Sequence, residues 1–169
     1  QMPSGSIREK VTSMLDRLNT KDQLFRTELQ KEANIFLKDI ENQALNCQLR
    51  QENTDFVYGD LVNVADEGAT YLPSGCEIKQ LIIQNRKPLP GDKRYLVQVQ
   101  LWNQMNDDEK AIGIIHEALF AYLLEREFPN SPYARFVNGL IISNEIRTMN
   151  LKDLFELLDS FAFVQTYIE

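Results

Sequence analysis

The sequence has few of the side chains that usually bind metals. Its 169 residues include one histidine, His116, and two cysteines, Cys47 and Cys76. Zinc enzymes usually use two or three nitrogen or sulfur ligands from the protein, and a single imidazole cannot supply the usual histidine set. Neither cysteine belongs to a Cys-x-x-Cys pair, so a thiolate metal site has no support either. We therefore expect neither a bound metal nor a cofactor.

The two cysteines allow at most one disulfide. Cys47 and Cys76 could remain two buried thiols, as is common in cytosolic proteins. Alternatively, they form one bridge between the end of the second predicted helix and the strand region, which requires an oxidising compartment. The residues alone leave both alternatives open.

Basic charge and long apolar runs are also scarce. The formal net charge is −7, whereas nucleic acids and anionic membrane surfaces are bound by basic surfaces, so we expect neither as a partner. No apolar run approaches the roughly 20 residues of a membrane span, and no glycine-rich phosphate loop is present. The chain begins with Gln1 rather than methionine, from which we expect a processed or trimmed form.

The first zone of the chain, about residues 4–45, is predicted to be helical. Two apolar stripes at helical spacing are separated by Asn19 and Thr20, and Thr20 with Gln23 has the spacing of a capping box. The stripes consist of Ile7, Val11, Met14, Leu15 and Leu18, then Leu24, Phe25, Leu29, Phe36, Leu37 and Ile40. We assign residues 1–50 to a helical extension or hairpin and residues 51–169 to a core domain.

The second zone, about residues 54–104, has the composition of short strands and turns. Residues 95–102 alternate most regularly between apolar and other side chains, and we predict one strand over this range. Gln98 and Gln100 are expected to face solvent, as on an edge or half-solvated strand.

The third zone is predicted to be helical again and to contain the central helix of the fold. Asn106 and the acidic residues after it suit a helix start, and the almost continuously apolar stretch 111–115 predicts burial on most sides. Further helices are expected from Ser131 and from about Asn150. We predict an α+β fold: a small antiparallel or mixed sheet packed on a central helix that carries His116 and Glu117, with an N-terminal helical hairpin.

The stretch from the strand at Tyr95 through an acid-rich turn to His116 and Glu117 resembles the strand and active-site helix of the zincin metallopeptidases. In a His-Glu-x-x-His helix the two histidines lie four residues apart on one face and bind one zinc ion, while the glutamate polarises its water. Here Phe120 occupies the position of the second histidine. The resemblance therefore implies a zincin-like fold with a degenerate metal site.

The motifs in residues 54–143 also resemble a group of uncharacterised exported proteobacterial proteins. That group shares an LP-x-GC strand, an LW dipeptide, a KA-rich helix ending in HEA-x-[YF], and a downstream Ser and Arg. The matching residues are Leu72-Pro73-Ser74-Gly75-Cys76, Leu101-Trp102, Lys110-Ala111, His116-Glu117-Ala118-Leu119-Phe120, Ser131 and Arg135. The resemblance implies a periplasmic or secreted location, and in that compartment a disulfide between Cys47 and Cys76 becomes the favoured alternative.

Three residues form the candidate polar site: His116, Glu117 and Arg135. A buried carboxylate needs a partner, and Arg135 on the following helix is the expected one, in a bidentate pair that joins the two helices. The functional alternative is a polar cleft where the three residues bind a carboxylate-bearing ligand. His116 is expected to be a hydrogen-bonded structural residue rather than a metal ligand.

The sequence supports three candidate functions. The preferred one is a non-catalytic cell-envelope or secreted domain that binds an unknown protein or small molecule, or has a structural role. The second is a metal-dependent hydrolase with an unconventional shell of His116, Glu117 and a distant carboxylate. The third is a helical interaction module, in which residues 6–45 dock a partner or self-associate.

Overall fold

The computed structural model describes residues 2–18, 23–44, 51–61, 74–75, 79–85, 89–126 and 131–165. Helices dominate these segments, and three short strands interrupt them. The order is α1 (Ile7–Leu15), α2 (Gln23–Ala44), β1 (Thr54–Val57), β2 (Ile82–Gln84), β3 (Tyr95–Gln98), α3 (Val99–Gln104), α4 (Asp107–Leu124), α5 (Ser131–Ser143), a short 3-10 helix (Glu145–Thr148) and α6 (Leu151–Gln165). The predicted α+β class is confirmed.

The three strands form one mixed sheet with the order β1-β3-β2. β1 runs parallel to the central strand β3, with Thr54 opposite Tyr95. β2 runs antiparallel to β3, with Ile82 opposite Val97. Because Tyr95 and Val97 are both fully buried, this face of the central strand anchors the sheet in the core.

The strand predicted over residues 95–102 is shorter than expected. It ends at Gln98, whose side-chain oxygen accepts a hydrogen bond of 2.6 Å from the backbone N–H of Leu101 and thereby caps α3. Gln98 is buried rather than solvent-facing, so that prediction was wrong, whereas Gln100 is exposed as expected. The physical reason is that a side-chain acceptor satisfies a first-turn N–H of the helix, which makes the change from strand to helix possible without a loop.

Helix α4 is the central helix, as predicted. It packs against α1, α2 and α5, and nine of its residues are buried, which places most of its surface against other elements. Asn106 caps it by accepting from the N–H groups of Asp108 and Glu109, while the Glu109 carboxylate accepts from the N–H of Asn106. This capping box satisfies three backbone donors around the helix start.

Residues on both sides of the predicted boundary near residue 50 contribute to one hydrophobic core. Phe36 of α2 stacks on Tyr95 of the sheet, with ring centroids 4.7 Å apart, and lies 5.8 Å from the ring of Trp102. The fully enclosed members include Met14, Leu15, Leu29, Leu37, Ile114, Ile115, Leu119 and Ile141. The N-terminal helices therefore cover α4 and the sheet.

Some sequence predictions fall outside the described residues. These are the disulfide between Cys47 and Cys76 and the helix cap at Thr20. In the segments that the structure does describe, no helix is both long and apolar enough to cross a membrane.

Candidate functional site

His116 and Phe120 lie together on one face of α4. Their ring centroids are 6.4 Å apart with an interplanar angle of 25°, which is the contact expected of residues one helical turn apart. Both side chains are partly buried. The position that would hold a second metal ligand in a zincin-type helix is therefore filled by a hydrocarbon ring beside the imidazole.

Glu117 points into the protein. Only 7 % of the residue is exposed, and burial raises the pKa of its carboxyl group from 4.5 to about 8, because an apolar environment disfavours the charged form. At neutral pH most molecules consequently carry a protonated, neutral Glu117. A neutral carboxylic acid can donate a hydrogen bond but cannot accept a proton from a water nucleophile.

Arg135 differs from Glu117 in its surroundings. It lies on α5, which packs against α4, but its side chain is exposed. A guanidinium paired with Glu117 would lower the pKa of that carboxyl group, whereas the pKa is raised and desolvation is the cause. The raised pKa gives no support to the predicted ion pair or to a three-residue cleft.

The sequence analysis missed a group of polar side chains around Tyr95, which we call the Tyr95 cluster: Glu32, Gln84, Arg94 and Tyr95. Nη2 of Arg94 lies 2.7 Å from Oε2 of Glu32, and the guanidinium carbon of Arg94 lies 5.7 Å from the centroid of the Tyr95 ring. Nε2 of Gln84 donates to the Tyr95 hydroxyl at 3.5 Å. The cluster thus joins α2, β2 and β3.

The charge of Glu117 also acts on Tyr95. Burial raises the pKa of Tyr95, the negative charges of Glu117 and Glu32 raise it further, and Arg94 lowers it. Charges act strongly on the Tyr95 hydroxyl because its buried surroundings screen poorly. With Glu117 neutral, Arg94 and Glu32 balance each other and the cluster carries no net charge.

No local pattern in the sequence identifies the Tyr95 cluster. Glu32 has the periodicity of a polar helix position, and Arg94 precedes a strand after a turn-rich loop, as many exposed cations do. What joins them is strand register, which sets Gln84 opposite Tyr95, and the packing of α2 against α4. Both depend on tertiary structure.

The chemistry available to this site is limited. Within the described segments, no three residues among histidine, cysteine, aspartate and glutamate are arranged to hold a metal ion. The Tyr95 cluster offers one ion pair, a phenol and an amide, which suits a structural polar contact inside a core. The chain matches no protein-family model, no curated protein and no solved structure.

Proposed function

We propose that this chain is a non-catalytic domain of the cell envelope or of the secreted space, which binds a ligand or serves a structural role. In this proposal α4 keeps the form of a zincin-like helix with a degenerate metal site and acts as the central packing element. The single observation that carries the proposal is the burial of Glu117, the residue that would have to serve as the base.

Two further features support a non-catalytic role. Phe120 packs beside His116, so the helix offers one imidazole where a zinc enzyme needs several ligands. Burial raises the pKa of Glu117 to about 8, so the neutral acid, which cannot take a proton from water, predominates at pH 7. A hydrolase built on His116 and Glu117 would need a different packing of α4.

The envelope location rests on the sequence resemblance alone. The proposal therefore includes both a protein and a small molecule as the ligand. The competing proposal, a docking module in residues 6–45, is less favoured. The apolar stripes of α1 and α2 are buried against α4. The large apolar residue that faces solvent on α2 is Leu24, with 72 % of its surface exposed.

The test is metal analysis of the full chain purified without chelator, alongside the His116→Ala variant. We expect less than stoichiometric transition metal in both proteins, and the same amount in each. His116→Gln is a second variant, which removes the imidazole but keeps a polar side chain of similar size. One metal ion per chain that disappears in both variants would contradict the proposal and favour the hydrolase.

A further inference from the structure

A cavity lies on the solvent side of α2, away from the residues that this helix buries against α4. We call it the α2 cavity. Its volume is about 340 Å³, and polar side chains line it: Arg26, Thr27, Gln30, Lys31 and Asn34. Because residues four apart are neighbours on a helix surface, these positions form one continuous face over two turns. The volume lies at the lower end of the range of ligand pockets, about 300–1,000 Å³.

A chain of hydrogen bonds fixes the amide groups of the α2 cavity. Arg8 of α1 binds Glu41 through two contacts of 2.8 and 2.9 Å, and its Nη1 donates to Oδ1 of Asn34 at 2.9 Å. Nε2 of Gln30 donates to the same oxygen at 3.2 Å. Because a guanidinium has only donors, the Asn34 oxygen must face Arg8. Both lone pairs of that oxygen are then used, and the Asn34 amide nitrogen is left to donate to a ligand.

The other side chains that line the cavity also offer donors. Arg26 binds Asp16, the last residue of α1's C-terminal cap, through Nε at 3.0 Å and through Nη2, which leaves Nη1. Lys31 is exposed, and in the part of the chain that the structure describes it has no ion pair. Thr27 is exposed as well and carries a hydroxyl group. Since the acceptor oxygen of Gln30 is buried, donors predominate toward the cavity.

The described side chains around the α2 cavity carry a net positive charge, although the whole chain has a net charge of −7. Glu41 balances Arg8, and Asp16 balances Arg26, so the positive charge of Lys31 remains. One unbalanced cation beside several donors suits a carboxylate or phosphate group. A nucleic acid or another acidic polymer does not fit, because the remaining surface would repel it.

We propose that the α2 cavity binds a small organic anion, and that Arg26, Lys31 and Asn34 hold its carboxylate or phosphate group. The cavity has the volume of roughly ten water molecules, which is more than a bare phosphate ion fills, so the anion carries further atoms. The inference goes beyond the proposed function and does not depend on it, because the cavity shares no residue with α4. Solvent and salt screen exposed charges, so we expect weak binding, with a Kd of about 1 mM.

The experiment is an NMR titration of the full chain, in which backbone amide shifts are followed as succinate, inorganic phosphate or glycerol phosphate is added. These probes separate the two acid groups, and succinamide is the uncharged analogue of succinate. At low ionic strength we expect saturable shifts of the amides of residues 26–34 at up to about 20 mM anion, well above a Kd of about 1 mM. Sodium chloride at about 300 mM should weaken the binding, because salt screens exposed charges.

Lys31→Gln removes the unbalanced charge and keeps a long polar side chain. We expect it to weaken binding of the preferred anion about three- to tenfold. Lys38→Gln is the matched control, because it makes the same change at an exposed lysine of α2 that lies outside the cavity and pairs with Glu52. Its titration should follow the wild type. Both lysines are exposed, so both variants should fold.

Each outcome decides the matter. Saturable shifts at residues 26–34 that are weaker in Lys31→Gln but not in Lys38→Gln support the site, and the tighter probe identifies the acid group that it binds. The absence of saturation with all three anions would overturn the proposal. So would wild-type affinity in Lys31→Gln, equal weakening in both variants, equal binding of succinamide, or shifts that centre away from residues 26–34.

Discussion

Two buried polar residues, Asp39 and Asn138, are tied to backbone groups of neighbouring segments. Asp39 is fully buried on α2, and its two carboxylate oxygens accept from the N–H groups of Glu52 and Asn53, at 3.2 and 2.7 Å. Asn138 of α5 donates to the Ile112 oxygen of α4 at 3.1 Å. Such contacts fix how elements meet, because leaving one partner buried and unpaired costs more than the bond contributes.

Replacement of Asp39 by alanine should destabilise the protein by about 1–3 kcal/mol, because two partly buried N–H groups before β1 lose their acceptor. Asp39→Asn keeps one acceptor oxygen and should lose less. The measurement is the free energy of unfolding from urea titration. The control is Lys38→Ala, which removes an exposed ion pair with Glu52 and should cost at most about 1 kcal/mol. Equal losses in Asp39→Ala and Lys38→Ala would contradict this role.

At the residue scale the sequence predicted the burial of Glu117, whereas its pairing with Arg135 stays a prediction. The apolar residues around Glu117 predicted that it is buried, and the structure has it so. The choice of Arg135 as its partner used only the order of helices along the chain. Which side of α5 faces α4 depends on packing angles, and these are set by the whole core rather than by the spacing of two residues.

The elements of this fold begin and end at side-chain caps. At the change from β3 to α3, the spacing of apolar residues alone could not predict where the strand ends and the helix begins. Val97 and Val99 alternate as in a strand, but Val99 and Trp102, both buried, are also three apart, as on one face of a helix. The cap formed by Gln98 decides between the two periods, and a glutamine at this position is a weak signal in a sequence.

Helix α4 should be sensitive to its own cap. Asn106→Ala removes the acceptor for the N–H groups of Asp108 and Glu109 and should lower stability by about 1 kcal/mol, whereas Asn106→Ser should stay within a few tenths of the wild type. Thermal unfolding followed by circular dichroism measures both. Asn103→Ala, in an exposed position on α3, is the control. A loss in Asn103→Ala as large as that in Asn106→Ala would argue against a specific capping effect.

The whole molecule is organised around α4, which the near-continuous apolar run of residues 111–115 predicted. The α+β class followed from the change of composition between zones, which left an antiparallel and a mixed sheet open. What the sequence did not supply is the position of α1 and α2. Amphipathic helices of this kind have the same pattern whether they cover their own domain or a partner, and only the packing of Phe36 on Tyr95 and Trp102 shows what they cover.

Removal of residues 1–44, which comprise α1 and α2, should therefore unfold the remaining chain rather than release a stable domain. The deletion uncovers Tyr95, Trp102 and the apolar side of α4, all of which are buried in the full chain, and a domain's net stability is only about 5–15 kcal/mol. We expect the fragment to lose cooperative thermal unfolding, to bind a hydrophobic dye and to aggregate in light scattering. Full-length Leu24→Ser, which changes an exposed residue of α2, should behave like the wild type. A monomeric fragment with a cooperative transition would instead show that residues 45–169 fold alone and would revive the docking role of the N-terminal helices.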